Sequence, residues 1–195
     1  VQTGLGRTGR WFGFHHLGVE PDIVTMAKAL GNGMPVGACW ARAEVAAAFV
    51  PGDHGRTFGG QPLAMAAARA TQAVMEAEDA PGRARERGAQ LTGALESLPG
   101  VASVRGEGLL LGAVLTEPVA GRVSAEALRG GLVINAPRSE VLRFAPSLLV
   151  SPAEVTEAVA MLGPILAAIV ATGTDETAGT TATAATTATG KRGDR

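Results

Sequence analysis

The chain has 195 residues, enough for one domain or two small ones, and its formal net charge of −1 argues against nucleic acid as the main partner. Hydrophobic residues make up 46% of it and aromatic residues only 4%, so the core must be aliphatic. A single cysteine, Cys39, excludes an internal disulfide and favours a reducing cytoplasm. No apolar run matches the length that a bilayer requires, so we expect no membrane partner.

Short elements separated by glycine and proline fill the first sixty residues. Apolar runs of four or five residues are typical of buried strands, and Gly-Asn-Gly marks a turn. We predict a loop over 1–10, a short helix over 11–17, a buried strand over 23–26, a turn over 31–35, a strand over 36–40, a short helix over 42–49 and a loop over 52–60.

Longer elements follow from Pro62, which is well placed as the first residue of a helix. The Ser151-Pro152-Ala153-Glu154 run has the pattern of a capping box at a helix start. Pro81-Gly82 is read as a break. We predict helices over 62–78, 83–98, 124–129 and 152–170, and strands over 101–105, 109–115, 132–135 and 141–144.

These elements suggest a division of the chain into three parts. Residues 1–80 form a strand–helix region and residues 81–170 a smaller α+β unit. Residues 171–195 are rich in threonine and alanine and lack large apolar side chains, so we expect a disordered tail.

Lys28 is conspicuous because the chain has two lysines and fifteen arginines, and the other lysine, Lys191, lies in the tail. Lys28 follows an apolar strand and precedes a glycine turn, a place where α/β enzymes put reactive groups. A desolvated lysine amine can attack a carbonyl, which an arginine cannot do. A lysine at a strand end can equally extend its amine to solvent, and the residue alone does not decide between the two.

Four segments together resemble class III aminotransferases, which depend on pyridoxal phosphate. The segment 21–38 is similar to the family's Schiff-base lysine segment, and the other three occur in the family's order. They are Val1-Gln2-Thr3-Gly4-Leu5-Gly6-Arg7-Thr8-Gly9, His54-Gly55-Arg56-Thr57-Phe58-Gly59-Gly60-Gln61-Pro62-Leu63-Ala64 and Leu142-Arg143-Phe144-Ala145-Pro146-Ser147-Leu148.

The resemblance implies roles for five residues. Lys28 would hold the cofactor covalently and later move a proton, and Gln2 would hydrogen-bond the phenolic oxygen of the cofactor ring. Thr57 would reach the cofactor phosphate of a partner subunit, which implies a homodimer. Arg143 would grip the α-carboxylate of the substrate. Arg56 stands where the family has a small hydroxyl residue, near the substrate, and either points to solvent or alters substrate choice.

Each role has a plain structural alternative. Gln2 can be a surface loop amide, Thr57 an ordinary turn residue, and Arg143 a member of a structural ion pair.

The implied fold is α/β, the aspartate aminotransferase-like fold type I, with part of its large domain in 1–80 and its small domain in 81–170. The stretch 131–136 and the Leu142-Arg143-Phe144 run resemble acetylornithine enzymes more than 4-aminobutyrate enzymes. We therefore expect amino transfer from N-acetylornithine to 2-oxoglutarate in arginine biosynthesis. Ornithine, succinylornithine and 4-aminobutyrate remain open as donors.

The family has an aspartate just before the segment that here begins at Val1. We therefore expect a C-terminal fragment that is nearly inactive by itself. A truncated binding module without catalysis is the alternative.

Overall fold

The computed structural model describes residues 1–172. Of the tail predicted over 171–195, residues 173–195 lie outside the described residues. Two single 3-10 turns, Gly13–His16 and Lys28–Leu30, accompany six strands and five helices in these residues. The strands are β1 Ile23–Met26, β2 Ala38–Ala41, β3 Val101–Glu107, β4 Leu110–Leu115, β5 Asn135–Arg138 and β6 Val141–Phe144; the helices are α1 Ala43–Ala46, α2 Pro62–Ala77, α3 Ala80–Glu96, α4 Ala120–Arg129 and α5 Pro152–Ala171.

An antiparallel sheet in the order β3-β4-β6-β5 carries the main core. Burial alternates along β4, so Leu111, Ala113 and Leu115 face the core and their neighbours face away. Helices α3, α4 and α5 supply the other half of this core, including Leu95, which is fully buried. The sheet therefore has one covered face and one face that the three helices leave open.

The capping box predicted at the start of α5 is confirmed. Ser151 Oγ accepts a hydrogen bond from the backbone N–H of Glu154 at 3.2 Å, and Glu154 Oε2 accepts one from the backbone N–H of Ser151 at 2.7 Å. Pro152 fits the first turn because that position has no helical partner for an N–H. The helix ends one residue later than predicted, at Ala171.

Helix α5 corrects the expectation about apolar length, because its 20 residues are long and apolar enough by composition to cross a membrane. The sequence reading counted only the apolar run after the acidic start and so underestimated the helix. In the structure one side of α5 is buried in the main core, through Val155, Leu162, Leu166 and Ile169. It packs as a core helix against α3 and α4.

Helix α3 begins at Ala80, so the predicted break at Pro81-Gly82 is wrong. Asp79 adopts a left-handed conformation with φ of 45°, and its side chain accepts a hydrogen bond from the backbone N–H of Gly82 at 3.1 Å. Proline lacks the N–H that a first helical turn leaves unpaired anyway. Pro81 and Gly82 thus start the helix instead of ending the previous one.

Several other predicted bounds shift by a few residues. Helix α4 begins four residues early, at Ala120, and β5 occupies Asn135–Arg138 instead of 132–135. The helices predicted over 11–17 and 42–49 shrink to a 3-10 turn and to the single turn α1. These segments are short, and local propensity fixes the ends of short elements poorly.

Strand β1 forms where predicted, but it is not buried. Ile23 is 53% exposed, and Trp40 on β2 is 50% exposed. Within residues 1–172 the two strands pair only with each other, in antiparallel register from Ile23–Ala41 to Met26–Ala38. No second layer among these residues covers the pair.

A second, smaller core joins the opening loop to the rest of the chain. It consists of the buried residues Leu5, Met75 and Ala80, against which Ala29 and Leu30 pack partly buried. Leu148, which follows β6, also packs there. This cluster fixes the turn that follows β1 against both α2 and the end of the main sheet.

Candidate active site

Lys28 lies in a strained turn immediately after β1. Its φ is +52°, in the left-handed region that residues other than glycine rarely adopt. The turn is closed by two backbone hydrogen bonds, from the N–H of Leu30 to the carbonyl of Ala27 at 3.1 Å and from that of Gly31 to the carbonyl of Lys28 at 3.2 Å. Such strain persists only where the surroundings enforce it, and here the next two residues are anchored in the smaller core.

The glycine turn that follows is sterically required at Gly31. A Cβ at this position would collide with the carbonyl oxygen of Met34 and with a methyl group of Val36. The chain therefore reverses tightly behind Lys28, and the N–H of Met34 donates to the carbonyl of Gly31 at 3.0 Å. This reversal leads the chain from Lys28 back into β2.

Three of the five predicted site residues line one cavity. Gln2 from the opening loop, Lys28 from the turn and Arg143 from β6 surround a space of about 220 Å³. Ligand pockets usually measure about 300–1,000 Å³, so this space corresponds to a small site or to part of a larger one. An amide, an amine and a guanidinium thus meet although they are far apart in the sequence.

These three polar side chains are exposed and have no partner within residues 1–172. Lys28 and Arg143 form no ion pair there, and the side chain of Gln2 makes no hydrogen bond. The structural alternative for Arg143, an ion pair, is therefore not found in the described part of the chain. The groups are available to a ligand.

The sheet determines where Arg143 points. It pairs with Gly112 on β4 and with Asn135 on β5. Its neighbour Leu142 is fully buried in the main core, so Arg143 lies on the opposite, open face. Leu110, which also faces away from the core, lines the same cavity.

Arg7 completes the cavity and fixes the opening loop to the main sheet. Its guanidinium donates to the carbonyl of Pro146 at 2.6 Å and to that of Leu109 at 3.2 Å, and its own carbonyl accepts from the N–H of Leu109 at 2.9 Å. Burial lowers the pKa of Arg7 from its usual value. The sequence reading included Arg7 in a motif but gave it no role, since its contacts are with residues more than a hundred positions away.

The other two predicted site residues lie elsewhere. Arg56 and Thr57 line a separate, larger cavity of about 1,090 Å³ that Lys28 does not line. The loop that carries them is exposed throughout, and Phe58 is 83% exposed. Within one chain the structure therefore does not bring Thr57 to the lysine, as the predicted role toward a partner's cofactor would require.

Comparison with known proteins identifies the class. The model of the family "Aminotransferase class-III" matches residues 1–166. The chain belongs to the class III aminotransferases.

Among curated relatives, the acetylornithine aminotransferase of Gloeobacter violaceus is 51% identical over 179 residues, which cover 89% of this chain and 44% of the relative. The acetylornithine aminotransferase of Corynebacterium efficiens is 47% identical, and the match covers 86% of this chain and 41% of the relative. The chain thus spans less than half the length of the curated relatives it matches.

Solved structures agree on the fold. The acetylornithine aminotransferase from Elizabethkingia anophelis superposes with a TM-score of 0.79 at 32% identity, covering 86% of this chain and 46% of that one. The ornithine aminotransferase from Toxoplasma gondii ME49 superposes with a TM-score of 0.80 at 33% identity, and the match covers 88% of this chain and 43% of that one. The fold predicted from the sequence, that of the pyridoxal-phosphate-dependent transferases, is confirmed.

The residues present fit the family's cofactor chemically. Pyridoxal phosphate offers an aldehyde, a phenolic oxygen and a phosphate. The free amine of Lys28 suits the aldehyde, and the unpaired amide of Gln2 suits the phenolic oxygen. The hydroxyl of Thr57, on an exposed loop that ends at the start of α2, suits a phosphate.

Proposed function

We propose that the protein transfers the terminal amino group of N-acetylornithine to 2-oxoglutarate, as a step of arginine biosynthesis. The observation that carries this proposal is the meeting of Lys28, Gln2 and Arg143 at one cavity. The identity of 43–51% to eight acetylornithine aminotransferases supports the choice of donor.

In this proposal Lys28 and Gln2 hold pyridoxal phosphate, and Thr57 holds the phosphate of the cofactor bound to a partner subunit. When bound, the cofactor supplies an electron sink for the charge left when the substrate carbon loses a proton. Lys28 Nζ carries that proton away and returns it. Lys28 lines the cavity from a turn that two backbone hydrogen bonds close.

Arg143 binds the substrate carboxylate. A guanidinium can form two parallel hydrogen bonds with a carboxylate, which fixes orientation as well as charge. The sheet holds the backbone of Arg143 rigidly between two neighbouring strands, and no described acid competes for the side chain. Lys28 and Arg143 line the same cavity, so a carboxylate bound by Arg143 would lie within reach of that cavity.

The protein acts as a homodimer in this proposal. The separate position of Thr57 supports it, and so does the run of exposed apolar side chains on the same segment, which includes Phe58 at 83% and Phe49 at 67%, since contiguous exposed apolar surface marks contact with further protein. Arg56 lies beside Thr57 and would then face the partner's substrate. We further propose a cytoplasmic location and a division of the chain at residue 80.

Ornithine is the second candidate donor, because an ornithine aminotransferase superposes as well as an acetylornithine enzyme. The two donors differ in the charge on the α-nitrogen. In the acetylornithine relative, more than half of the length lies outside the part that matches this chain.

The test is a measurement of kcat/KM at full length with N-acetylornithine, ornithine and 4-aminobutyrate, each with 2-oxoglutarate. We expect the highest value for N-acetylornithine, and loss of activity with every donor in Lys28→Ala. A higher value for ornithine would overturn the choice of donor but leave the class of reaction intact. Turnover of no donor, or full activity in Lys28→Ala, would overturn the reaction and favour a binding module.

A further inference from the structure

Thr8 is the one buried polar or charged side chain in residues 1–172, with 6% of its surface exposed. Its hydroxyl donates to the carbonyl of Thr3 at 3.3 Å. His16 Nε2 lies 3.0 Å from the carbonyl oxygen of Thr8 and 3.1 Å from its Oγ1. These hydrogen bonds join the 3-10 turn Gly13–His16 to the backbone of Thr3, which is the neighbour of Gln2.

The acceptors fix the direction of these hydrogen bonds. A backbone carbonyl can only accept, so Nε2 of His16 carries a proton and donates it to the carbonyl of Thr8. The same N–H faces Oγ1 of Thr8, so the hydroxyl proton must point elsewhere, and the carbonyl of Thr3 receives it. A hydroxyl has one proton and two lone pairs, so these contacts leave Thr8 a single orientation. His16 thus determines which way the Thr8 hydroxyl points.

Close backbone contacts hold both ends of this chain of hydrogen bonds. A Cβ at Gly13 would lie 2.7 Å from Oγ1 of Thr3 and 2.8 Å from its Cβ, so a larger residue at this position would displace Thr3. A Cβ at Gly108 would lie 2.6 Å from the carbonyl carbon of Thr8. The turn between β3 and β4 therefore contacts Thr8 closely, and the opening loop is placed relative to the sheet that carries Arg143.

We propose that His16 and Thr8 are positioning residues that fix the opening loop so that Gln2 is held at the cofactor cavity. Gln2 lines that cavity, but its own side chain makes no hydrogen bond within residues 1–172. The bond from Thr8 to the carbonyl of Thr3 is the hydrogen bond nearest to Gln2 in this part of the chain. The inference rests on the cofactor-binding role proposed for Gln2.

Cofactor binding to the full-length apoprotein tests this without relying on turnover. Pyridoxal phosphate is titrated into the unmodified protein, His16→Leu, His16→Gln and Gln2→Ala, and the absorption of the bound cofactor is recorded. Glutamine retains an N–H donor, so His16→Gln is the conservative replacement. His15→Leu is the matched control, because the His15 ring packs edge-on against Phe12 and Phe14 and forms no hydrogen bond in the described residues.

We expect His16→Leu to raise the Kd for pyridoxal phosphate about fivefold, as the loss of a hydrogen bond that positions Gln2 predicts. The absorption maximum of the bound cofactor should shift in the same direction as in Gln2→Ala, because a displaced amide no longer hydrogen-bonds the phenolic oxygen. His16→Gln should keep the Kd within about twofold of the unmodified protein, and His15→Leu should change neither quantity.

Three results would overturn the proposal alone: an unchanged Kd and absorption maximum in His16→Leu, an equal effect in His15→Leu, or an equal loss in His16→Gln, which would show that the bulk of the ring acts and not its N–H. If the unmodified protein did not bind pyridoxal phosphate at all, the proposed function would fall as well. Binding that depends on His16 in a protein that does not transaminate would overturn only the proposed function.

A double-mutant cycle decides whether His16 acts through Gln2. If it does, His16→Leu should change the Kd by less than about twofold once Gln2 is replaced by alanine. A fivefold loss in that background would mean that His16 supports the cofactor by another route, and would contradict the proposal. Thr8→Val removes the hydroxyl and should match His16→Leu; an unchanged Kd in this variant, folded normally by circular dichroism, would contradict the role of Thr8.

Discussion

The residues before and after α2 differ sharply in how they are packed. In residues 1–63 Leu5 is the only large apolar side chain that is buried, whereas the main core after residue 90 contains fully buried Leu95 and Leu142. The residues proposed to hold the cofactor come from the poorly packed part, and Arg143 comes from the open face of the well-packed part. The residues proposed to hold the cofactor and the main core therefore lie in different segments of this chain.

Many of the exposed side chains in residues 1–63 are apolar, and apolar side chains do not favour contact with water. In residues 64–172 only Leu128 and Val133 are large apolar side chains with at least half of their surface exposed. In residues 1–63 nine such side chains occur, most of them on or near the β1–β2 pair; they are Val1, Leu17, Val19, Ile23, Trp40, Phe49, Val50, Phe58 and Leu63. Surfaces of this kind usually mark a contact with further protein. The comparison predicts that substitutions in the two parts of the chain have different consequences.

The largest expected difference in stability is between two substitutions that truncate a strand side chain to alanine, one on β6 and one on β1. Leu142→Ala on β6 should reduce the free energy of unfolding by about 2–5 kcal/mol, because it leaves a cavity in the main core. Ile23→Ala on β1 should cost less than about 1 kcal/mol, because the side chain is half exposed. Urea unfolding of both variants checks this; similar losses would show that β1 is as well packed as β6.

The next effect concerns the link between the two parts. Arg7→Met removes the donor to the carbonyls of Leu109 and Pro146 and should destabilise the protein by about 1.5–3 kcal/mol. Arg10→Met is its control, since Arg10 is exposed and donates only to the nearby carbonyl of His15. The Leu109 N–H should exchange with solvent faster in Arg7→Met but not in Arg10→Met. If this N–H stayed equally protected in both variants, Arg7 would not be what fixes the opening loop to the main sheet.

A smaller effect tests the strain at Lys28. Lys28→Gly and Lys28→Ala should both be inactive, but the glycine variant should be the more stable by about 1 kcal/mol, because glycine adopts a positive φ without steric cost. Thermal unfolding of the two variants compares them directly. A more stable alanine variant would mean that the left-handed conformation is not retained.

An effect of similar size is expected in the capping box of α5. Ser151→Ala should cost about 1 kcal/mol. The pKa of Glu154 is lowered, first by the backbone hydrogen bond of Ser151 and then by the Ser151 side chain. The ionised carboxylate of Glu154 therefore contributes fully to the stability of the folded protein above its unfolded-state pKa of about 4.3. This contribution is lost as the pH falls through the lower pKa of Glu154 in the folded protein. Acid unfolding of Glu154→Gln should lack this component, and an unchanged acid transition would contradict it.

The sequence predicted the strands and helices that have a distinct local pattern, such as β1, β6 and the capped start of α5. It misplaced the start of α3, because Pro81-Gly82 resembles a break until the cap from Asp79 is known. It identified Lys28, Gln2 and Arg143 by motif, but it could not predict that Arg7 lines the same cavity. That placement depends on contacts between distant segments, which no local pattern encodes.

The central claim is that Lys28 is the lysine that holds the cofactor. The direct test is to incubate the full-length protein with pyridoxal phosphate, reduce with borohydride, digest it, and locate the modified peptide by mass spectrometry. We predict a pyridoxyl group on Lys28, absent in Lys28→Ala. Modification of Lys191 or the amino terminus instead, or of no residue, would contradict the account.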